Sequence, residues 1–182
     1  DTGFREPACR QALQAGLRAA GAEHDPLDVL LTHIHTDHTG LASEVGRPGG
    51  AIYIGRGDYP FTSRAWEEEY WGRIDQRFLQ EGFPPEELRI TTGTNPARTL
   101  GPDLDLPNYQ PLEDGDRLTV GEYTLEVIAA PGHTPGQICL WMANQQVLFT
   151  ADHVLFDITP NITMWPNLPN ALGRYLESLT RI

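Results

Sequence analysis

Three histidines and one aspartate fall within six residues of this chain: His33, His35, Asp37 and His38. The apolar run 29–31 before them predicts a buried strand, and alternation along the end of a strand would direct the first two histidines to the same side. A turn after them can present the other two side chains to a neighbouring point. Imidazole and carboxylate groups are ligands of divalent zinc, so the stretch predicts two adjacent metal positions. The alternative is a set of surface or hydrogen-bonded histidines, which four such residues at this spacing disfavour.

Two later residues could join this cluster. His133 lies in the turn-rich run Pro131–Gly136, which would hold a side chain rigidly at a strand end. Together with the first cluster it is a candidate third imidazole. Asp152 follows the predicted strand Gln146–Thr150, where a carboxylate could bridge two metals. Taken alone, Asp152 would be read as a turn-capping residue.

Composition narrows the classes of function. The 182 residues include 25 acidic and 13 basic residues, every basic one is Arg, and the net charge is -12. The lack of Lys excludes Schiff-base lysines and the lysine of a phosphate-binding loop. The acidic balance argues against a general nucleic-acid binder. We expect a small-molecule substrate, no nucleic-acid partner and no membrane, in a cytoplasmic protein that could form a homo-oligomer.

The two cysteines are Cys9 and Cys139. Cys139 stands in the apolar run 138–141, which favours a buried and inert thiol, while a disulfide between the two stays open. No apolar segment is long enough to suggest a membrane span.

The first two thirds of the chain predict mainly helices. Residues 6–20 have the pattern of an amphipathic helix, and residues 51–54 that of a short strand. Aromatic and aliphatic residues recur every four positions from Trp66 to Phe78, which predicts a helix with an aromatic face. This face could pack on the domain, border the metals as a lid, or do both. The prolines at 84 and 85 end this helix and can open a short helix through Leu88, and the Gly-, Pro-, Asn- and Thr-rich stretch from there to Pro111 predicts a loop.

The last third predicts strands. Arg117–Val120 and Tyr123–Ala129 flank a Gly-Glu turn and form a predicted hairpin. Two further strands, Gln137–Met142 and Gln146–Thr150, follow the His133 loop. A helical pattern over residues 170–182 closes the chain.

These motifs together resemble the metallo-β-lactamase fold superfamily. The matching pieces stand in the family's order: Asp1-Thr2-Gly3, the histidine cluster at 33–38, the run Pro131–Gly136, and Asp152. The resemblance implies an α+β fold, a four-layer αββα sandwich with metals at one edge. It implies one domain over residues 1–182, incomplete at both ends, with a helical and loop insertion at about 56–110.

The resemblance also implies a ligand set. The first metal would take His33, His35 and His133; the second would take Asp37 and His38; Asp152 would bridge them. Two departures from the family pattern matter: Ala151 stands where the family usually has Gly, and the family's last metal-binding histidine has no counterpart after Asp152 except the adjacent His153. We therefore expect weaker binding of the second metal.

Within the superfamily, the run Thr150–Pro169 is similar to glyoxalase-II-like hydrolases. The implied activity is hydrolysis of a thioester or related acyl substrate by a hydroxide that bridges two zinc ions, with iron and manganese as alternative metals and Asp37 as the catalytic residue that orients the nucleophile. The alternatives are a persulfide dioxygenase with one iron, a non-catalytic binding relative of the fold, and a nuclease, which the acidic charge disfavours.

Overall fold

The structure is a computed structural model that describes residues 1–23, 25, 27–45 and 49–182. Its helices are α1 (Pro7–Ala19), α2 (Thr36–Thr39), α3 (Ala42–Val45), α4 (Arg64–Gln80), α5 (Pro85–Thr94), α6 (Pro96–Thr99) and α7 (Ala171–Leu179). Its strands are β1 (Val29–Leu30), β2 (Ile52–Gly55), β3 (Tyr109–Leu112), β4 (Arg117–Val120), β5 (Tyr123–Ala129), β6 (Ile138–Met142) and β7 (Val147–Phe149). Two 3-10 turns cover Tyr59–Thr62 and Ala151–His153.

The chain divides into two compact units, each built from separate stretches. Unit 1 comprises Asp1–Leu31, His35–Ile52 and Pro60–Tyr109. Unit 2 comprises Thr32–Ile34, Tyr53–Tyr59 and Gln110–Ile182. The strands β1, β2 and β3 form one sheet in that order, and β4 to β7 form a second sheet in sequence order.

Unit 1 carries most of the helices. Helix α4 has the predicted aromatic face, and the rings of Trp66 and Tyr70 contact Phe61 edge-on, with centroids 6.1 and 5.1 Å away. The face is half-buried near the start of the helix, whereas Phe78 near its end is 46% exposed. Packing of the aromatic face within unit 1 is therefore seen for the first half of α4, and the lid role stays a prediction.

The predicted short helix through Leu88 is confirmed as the start of α5, whereas the loop predicted after it is wrong in its first part, because α5 continues to Thr94 and α6 follows at Pro96–Thr99. Pro85 occupies the first turn of α5, where a missing N–H costs nothing, and two glutamates follow it in the same turn. Asn95 then starts α6, since its side chain accepts a hydrogen bond from the backbone N–H of Ala97 at 2.9 Å. Local capping outweighs the low helix propensity of the Gly and Thr residues.

Unit 2 is organised around the antiparallel sheet β4-β5-β6-β7. The predicted hairpin is confirmed: Val120 pairs with Tyr123 across a two-residue turn, and Gly121 has a φ of +60°. Strand β6 lies inside the sheet and its first three residues are buried. Cys139 is among them, and both cysteines are free thiols, so the disulfide alternative is wrong.

Among the described residues, no helix combines the length and apolar character needed to cross a membrane.

Candidate metal centre

His33 is held at the point where the chain leaves β1. The backbone N–H of Ile138, at the start of β6, donates to the carbonyl of Thr32 at 2.9 Å and so ties this segment to the sheet of unit 2. The imidazole is fully buried, and its Nδ1 lies 3.1 Å from the Thr32 hydroxyl. The Nδ1 atom of His33 therefore contacts Thr32, and the Nε2 atom lies on the opposite side of the ring.

His133 lies in the loop between β5 and β6, and two contacts of unit 2 fix it. Its Nδ1 is 2.7 Å from the carbonyl oxygen of Asn161, and its own carbonyl accepts a hydrogen bond from the indole N–H of Trp165 at 2.9 Å. A carbonyl oxygen can only accept, so Nδ1 carries the proton. The neutral ring then has its lone pair on Nε2, the state required of a metal ligand.

The two Nε2 atoms face each other. They are 3.3 Å apart, and the rings meet edge-on with centroids 4.8 Å apart. An Asp152 carboxylate oxygen lies 3.5 Å from Nε2 of His133. Two nitrogens bound to one tetrahedral zinc ion at about 2.0–2.1 Å would stand about 3.3–3.4 Å apart. The donor set of His33, His133 and Asp152 therefore fits a divalent metal ion.

The remaining residues of the first cluster belong to unit 1. Asp37 and His38 lie on the short helix α2 rather than on the predicted turn, and His35 immediately precedes it. His38 has its Nδ1 2.9 Å from an Asp1 carboxylate oxygen, while Thr2 donates to the His38 carbonyl through both its backbone N–H and its hydroxyl. The motif Asp1-Thr2-Gly3 thus holds His38 in place.

Gly40 explains how these two segments come so close. A Cβ atom on Gly40 would stand 2.4 Å from the backbone nitrogen of Arg5 and 2.6 Å from the carbonyl oxygen of Gly3. No side chain fits there, so glycine allows the residues after Asp1 to pack directly on the loop that follows His38.

Side-chain groups that could hold a metal ion are present among the described residues. In unit 2, His33, His133 and Asp152 approach one another and form a His/Asp cluster, which contains three of the six predicted ligands. His35 and His38 of unit 1 are candidate ligands as well. Asp37 is not among these candidates, its side chain is about half exposed, and the role of each single residue stays a prediction.

Asp58 is a functional candidate that the sequence analysis missed. It is fully buried in unit 2 and accepts three hydrogen bonds, from the N–H of Ile34 at 2.9 Å, the hydroxyl of Thr134 at 2.7 Å and the N–H of Gly136 at 2.6 Å. Burial raises the pKa of Asp58 to about 7, against the opposing effect of these donors. The signal available in the sequence was a carboxylate just after a short strand and two glycines.

His153, the residue after Asp152, packs its ring inside unit 2. It is fully buried, its ring meets that of Tyr175 edge-on at 5.1 Å, and the Tyr175 hydroxyl donates to its carbonyl at 3.0 Å. Burial lowers the pKa of His153, which favours the neutral ring. Among the described residues, His153 is not one of the candidate metal ligands.

Comparison with known proteins gives matches over the whole chain. A family model described as the metallo-beta-lactamase superfamily matches residues 1–182. The chain is 30% identical to the hydroxyacylglutathione hydrolase GloC of Haemophilus influenzae, over 70% of this chain and 49% of that protein. It is 29% identical to the human acyl-coenzyme A thioesterase MBLAC2, over 75% of this chain and 44% of that protein.

A solved structure is similar over the full length of this chain. It is the metallo-beta-lactamase family protein TTHA1429 from Thermus thermophilus, with a TM-score of 0.79, 28% identity, and coverage of 100% of this chain and 59% of that one. The chain spans about half the length of the curated relatives it matches.

Proposed function

Because the chain belongs to the metallo-beta-lactamase superfamily and has the mixed helix and strand fold that its sequence predicted, we propose that it is a metal-dependent hydrolase of thioesters or related acyl compounds. The observation that carries the proposal is the approach of the two Nε2 atoms of His33 and His133 to 3.3 Å. The hydrogen bond of His133 to a backbone carbonyl leaves its Nε2 lone pair available on that side.

The substrate class is proposed from the relatives. One is a hydroxyacylglutathione hydrolase and another is an acyl-coenzyme A thioesterase, and both match about three quarters of this chain. Both names describe hydrolysis of an acyl compound. Since this chain spans about half the length of these relatives, the activity and substrate of the whole protein are proposals.

We propose two zinc ions as the cofactor, with iron and manganese as the alternatives. His33, His35 and His133 would hold one ion, Asp37 and His38 the other, and Asp152 would bridge both. When bound, such ions supply activation of water near neutral pH and polarisation of the substrate carbonyl. We also propose that residues 1–182 act as a single domain with a helical insertion at about 56–110.

The protein's own groups then perform defined tasks. Asn161 keeps the Nδ1 proton of His133 in place, so this ring stays in the ligating tautomer. Asp152 adds negative charge next to the two imidazoles, which favours a divalent cation over a neutral ligand. Asp37, with its carboxylate partly exposed, accepts a hydrogen bond from the attacking water and orients it toward the carbonyl carbon.

The proposal is tested by metal analysis followed by a substrate panel. The chain is purified with zinc and its metal content is measured. The rates of hydrolysis of a thioester, a lactone, a β-lactam and a phosphodiester are then compared. The same measurements are made on the His133→Ala variant. We expect zinc in the wild type and fastest hydrolysis of the thioester, with both lost in the variant. A chain that contains iron and consumes oxygen with a persulfide would instead identify the dioxygenase. Retained zinc and unchanged thioester hydrolysis in the variant would contradict the proposed site.

A further inference from the structure

One buried carboxylate connects the two segments that carry the metal-binding histidines of unit 2. Asp58 accepts from the backbone N–H of Ile34, the residue after His33, and from the hydroxyl of Thr134, the residue after His133. Its other oxygen accepts from the backbone N–H of Gly136. All three groups are donors, and the ionised carboxylate that Asp58 carries above its pKa only accepts, so it satisfies all three.

The surrounding backbone is packed too closely to offer a substitute for this carboxylate. A Cβ on Gly136 would stand 2.1 Å from the Asp58 nitrogen, and a Cβ on Gly57 would stand 2.2 Å from the Pro135 carbonyl oxygen. Asp58 is 0% exposed and Thr134 is 0% exposed. Loss of the acceptor would therefore take from the buried hydroxyl of Thr134 and the buried N–H of Gly136 the acceptor that they use in the fold, which is unfavourable in a buried position.

We propose that Asp58 is a positioning residue that sets the distance and orientation of His33 and His133 for a shared metal ion. It acts through Ile34 and Thr134, the residues that directly follow His33 and His133 in the sequence. This inference rests on the metal centre of the proposed function and not on the identity of the substrate. A geometry fixed before the ion arrives reduces the ordering cost of binding, as residues behind metal ligands do in general.

The test measures metal binding rather than turnover. In Asp58→Asn an amide NH2 group, which can only donate, replaces one of the two accepting oxygens, so it faces at least one of the three donors. Asp114→Asn is the matched control, because Asp114 also lies in unit 2 and also accepts from a backbone N–H, that of Ala129, at 2.7 Å. The zinc dissociation constant is measured by competition with a chelator, and the Co²⁺ absorption spectrum reports the ligand geometry.

A second pair of variants guards against misfolding of Asp58→Asn. Thr134→Val removes one donor to Asp58 and keeps the shape of the side chain, while Thr134→Ser keeps the hydroxyl. Circular dichroism of the metal-free proteins checks that each variant is folded.

We expect Asp58→Asn to weaken zinc binding by about 10- to 100-fold and to alter the Co²⁺ spectrum, while Asp114→Asn binds zinc as the wild type does. Thr134→Val should weaken zinc binding several-fold, whereas Thr134→Ser, which keeps the hydroxyl, should bind zinc as the wild type does. A folded Asp58→Asn protein with wild-type affinity and spectrum would overturn the positioning role and leave the metal centre intact. If Asp58→Asn does not fold, equal zinc affinity in the two Thr134 variants would overturn it. Failure of the wild-type chain to bind zinc would overturn the proposed function, and this inference with it.

Discussion

At the residue scale, His133 and Asp37 differ in how their surroundings hold them. His133 is buried and held through both its ring and its carbonyl, whereas Asp37 has a half-exposed carboxylate on a helix of four residues. Removal of a buried, bonded group disturbs the fold as well as the site, while removal of an exposed carboxylate disturbs little beyond its own chemistry. Asp37 is therefore the cleaner probe of catalysis.

Asp37→Ala should leave the free energy of unfolding of the metal-free chain within about 0.5 kcal/mol of the wild type and reduce thioester hydrolysis by orders of magnitude. The cause is the loss of the group proposed to hold the second metal and orient the water. Steady-state kinetics of the zinc-loaded protein measure the effect, with the exposed Glu68→Ala on α4 as a control. Near-normal turnover in the metal-replete variant would remove Asp37 from the mechanism.

Trp165→Phe removes the hydrogen bond from the indole N–H to His133 and keeps an aromatic ring in a buried position. The carbonyl of His133 then loses its indole donor, and we expect unfolding to become easier by about 1–3 kcal/mol. Urea denaturation of the metal-free proteins gives this number. Stability equal to that of the wild type would mean that the bond between Trp165 and His133 does not hold this loop.

At the scale of elements, close approach of two backbones shapes unit 2. The segment after β2 and the segment before β6 pack with glycines at the contact, since Cβ atoms on Gly55 or Gly57 would overlap the carbonyl oxygens of Gly136 or Pro135. The overlap involves backbone atoms, which cannot move aside as a flexible side chain can. This contact brings Asp58 within reach of the His133 loop.

Gly57→Ala should destabilise the protein by about 1–3 kcal/mol or more, as overpacking of a tight interior does. Gly72→Ala is the matched control: Gly72 lies in α4, and a Cβ there would meet nothing within 4 Å. Alanine should raise stability at that helical position by up to about 1 kcal/mol. Denaturation curves of both variants decide the matter, and the same sign of effect at both positions would refute the packing argument.

Across the whole molecule, local patterns in the sequence predicted most helices and strands but not the long-range contacts that hold them in place. The apolar periods predicted α1, α4, β5 and β6, because burial of one face is written into neighbouring residues. The two prolines at 84 and 85 predicted the start of α5, whereas its continuation beyond Leu88 and the helix α6 were missed, since no apolar period runs through those Gly- and Thr-rich residues.

The metal-binding cluster and its supports differ in the same way. The cluster at 33–38 is predicted from residue types at short spacing, and His133 and Asp152 are added to it through the resemblance to the family. Asp58 was not predicted, because its partners are backbone groups and a hydroxyl 24 to 78 positions away along the chain. No periodicity reports a contact of that kind.

The buried Asp58 also makes the stability of the metal-free protein depend on pH. The pKa of an aspartate has an ordinary value of 3.8, which applies to the unfolded chain, and burial raises the pKa of Asp58 to about 7 in the folded protein. Between these values the folded chain keeps a proton that the unfolded chain has released, so the free energy of unfolding falls as the pH rises from about 4 to about 7. The full shift corresponds to at most about 4 kcal/mol, at about 1.4 kcal/mol for each pKa unit.

Urea denaturation of the metal-free wild type and of Asp58→Asn at pH 5 and pH 7.5 isolates this contribution. We expect the wild type to lose more stability than the variant between the two pH values, because other titrating groups are common to both. An equal loss in the two proteins would show that Asp58 does not titrate in this range.

The hydrogen bond between His133 and residue 161 has a consequence for mutational scanning. The acceptor is the main-chain carbonyl of Asn161, and the Asn161 side chain is exposed. Nearly every amino acid presents the same carbonyl, so a library that varies position 161 should return many active clones and label the position as tolerant. The group that sets the tautomer of His133 would thus be invisible to side-chain substitution, and only an altered backbone, such as one shifted by an insertion or deletion between Pro160 and Trp165, would reveal it.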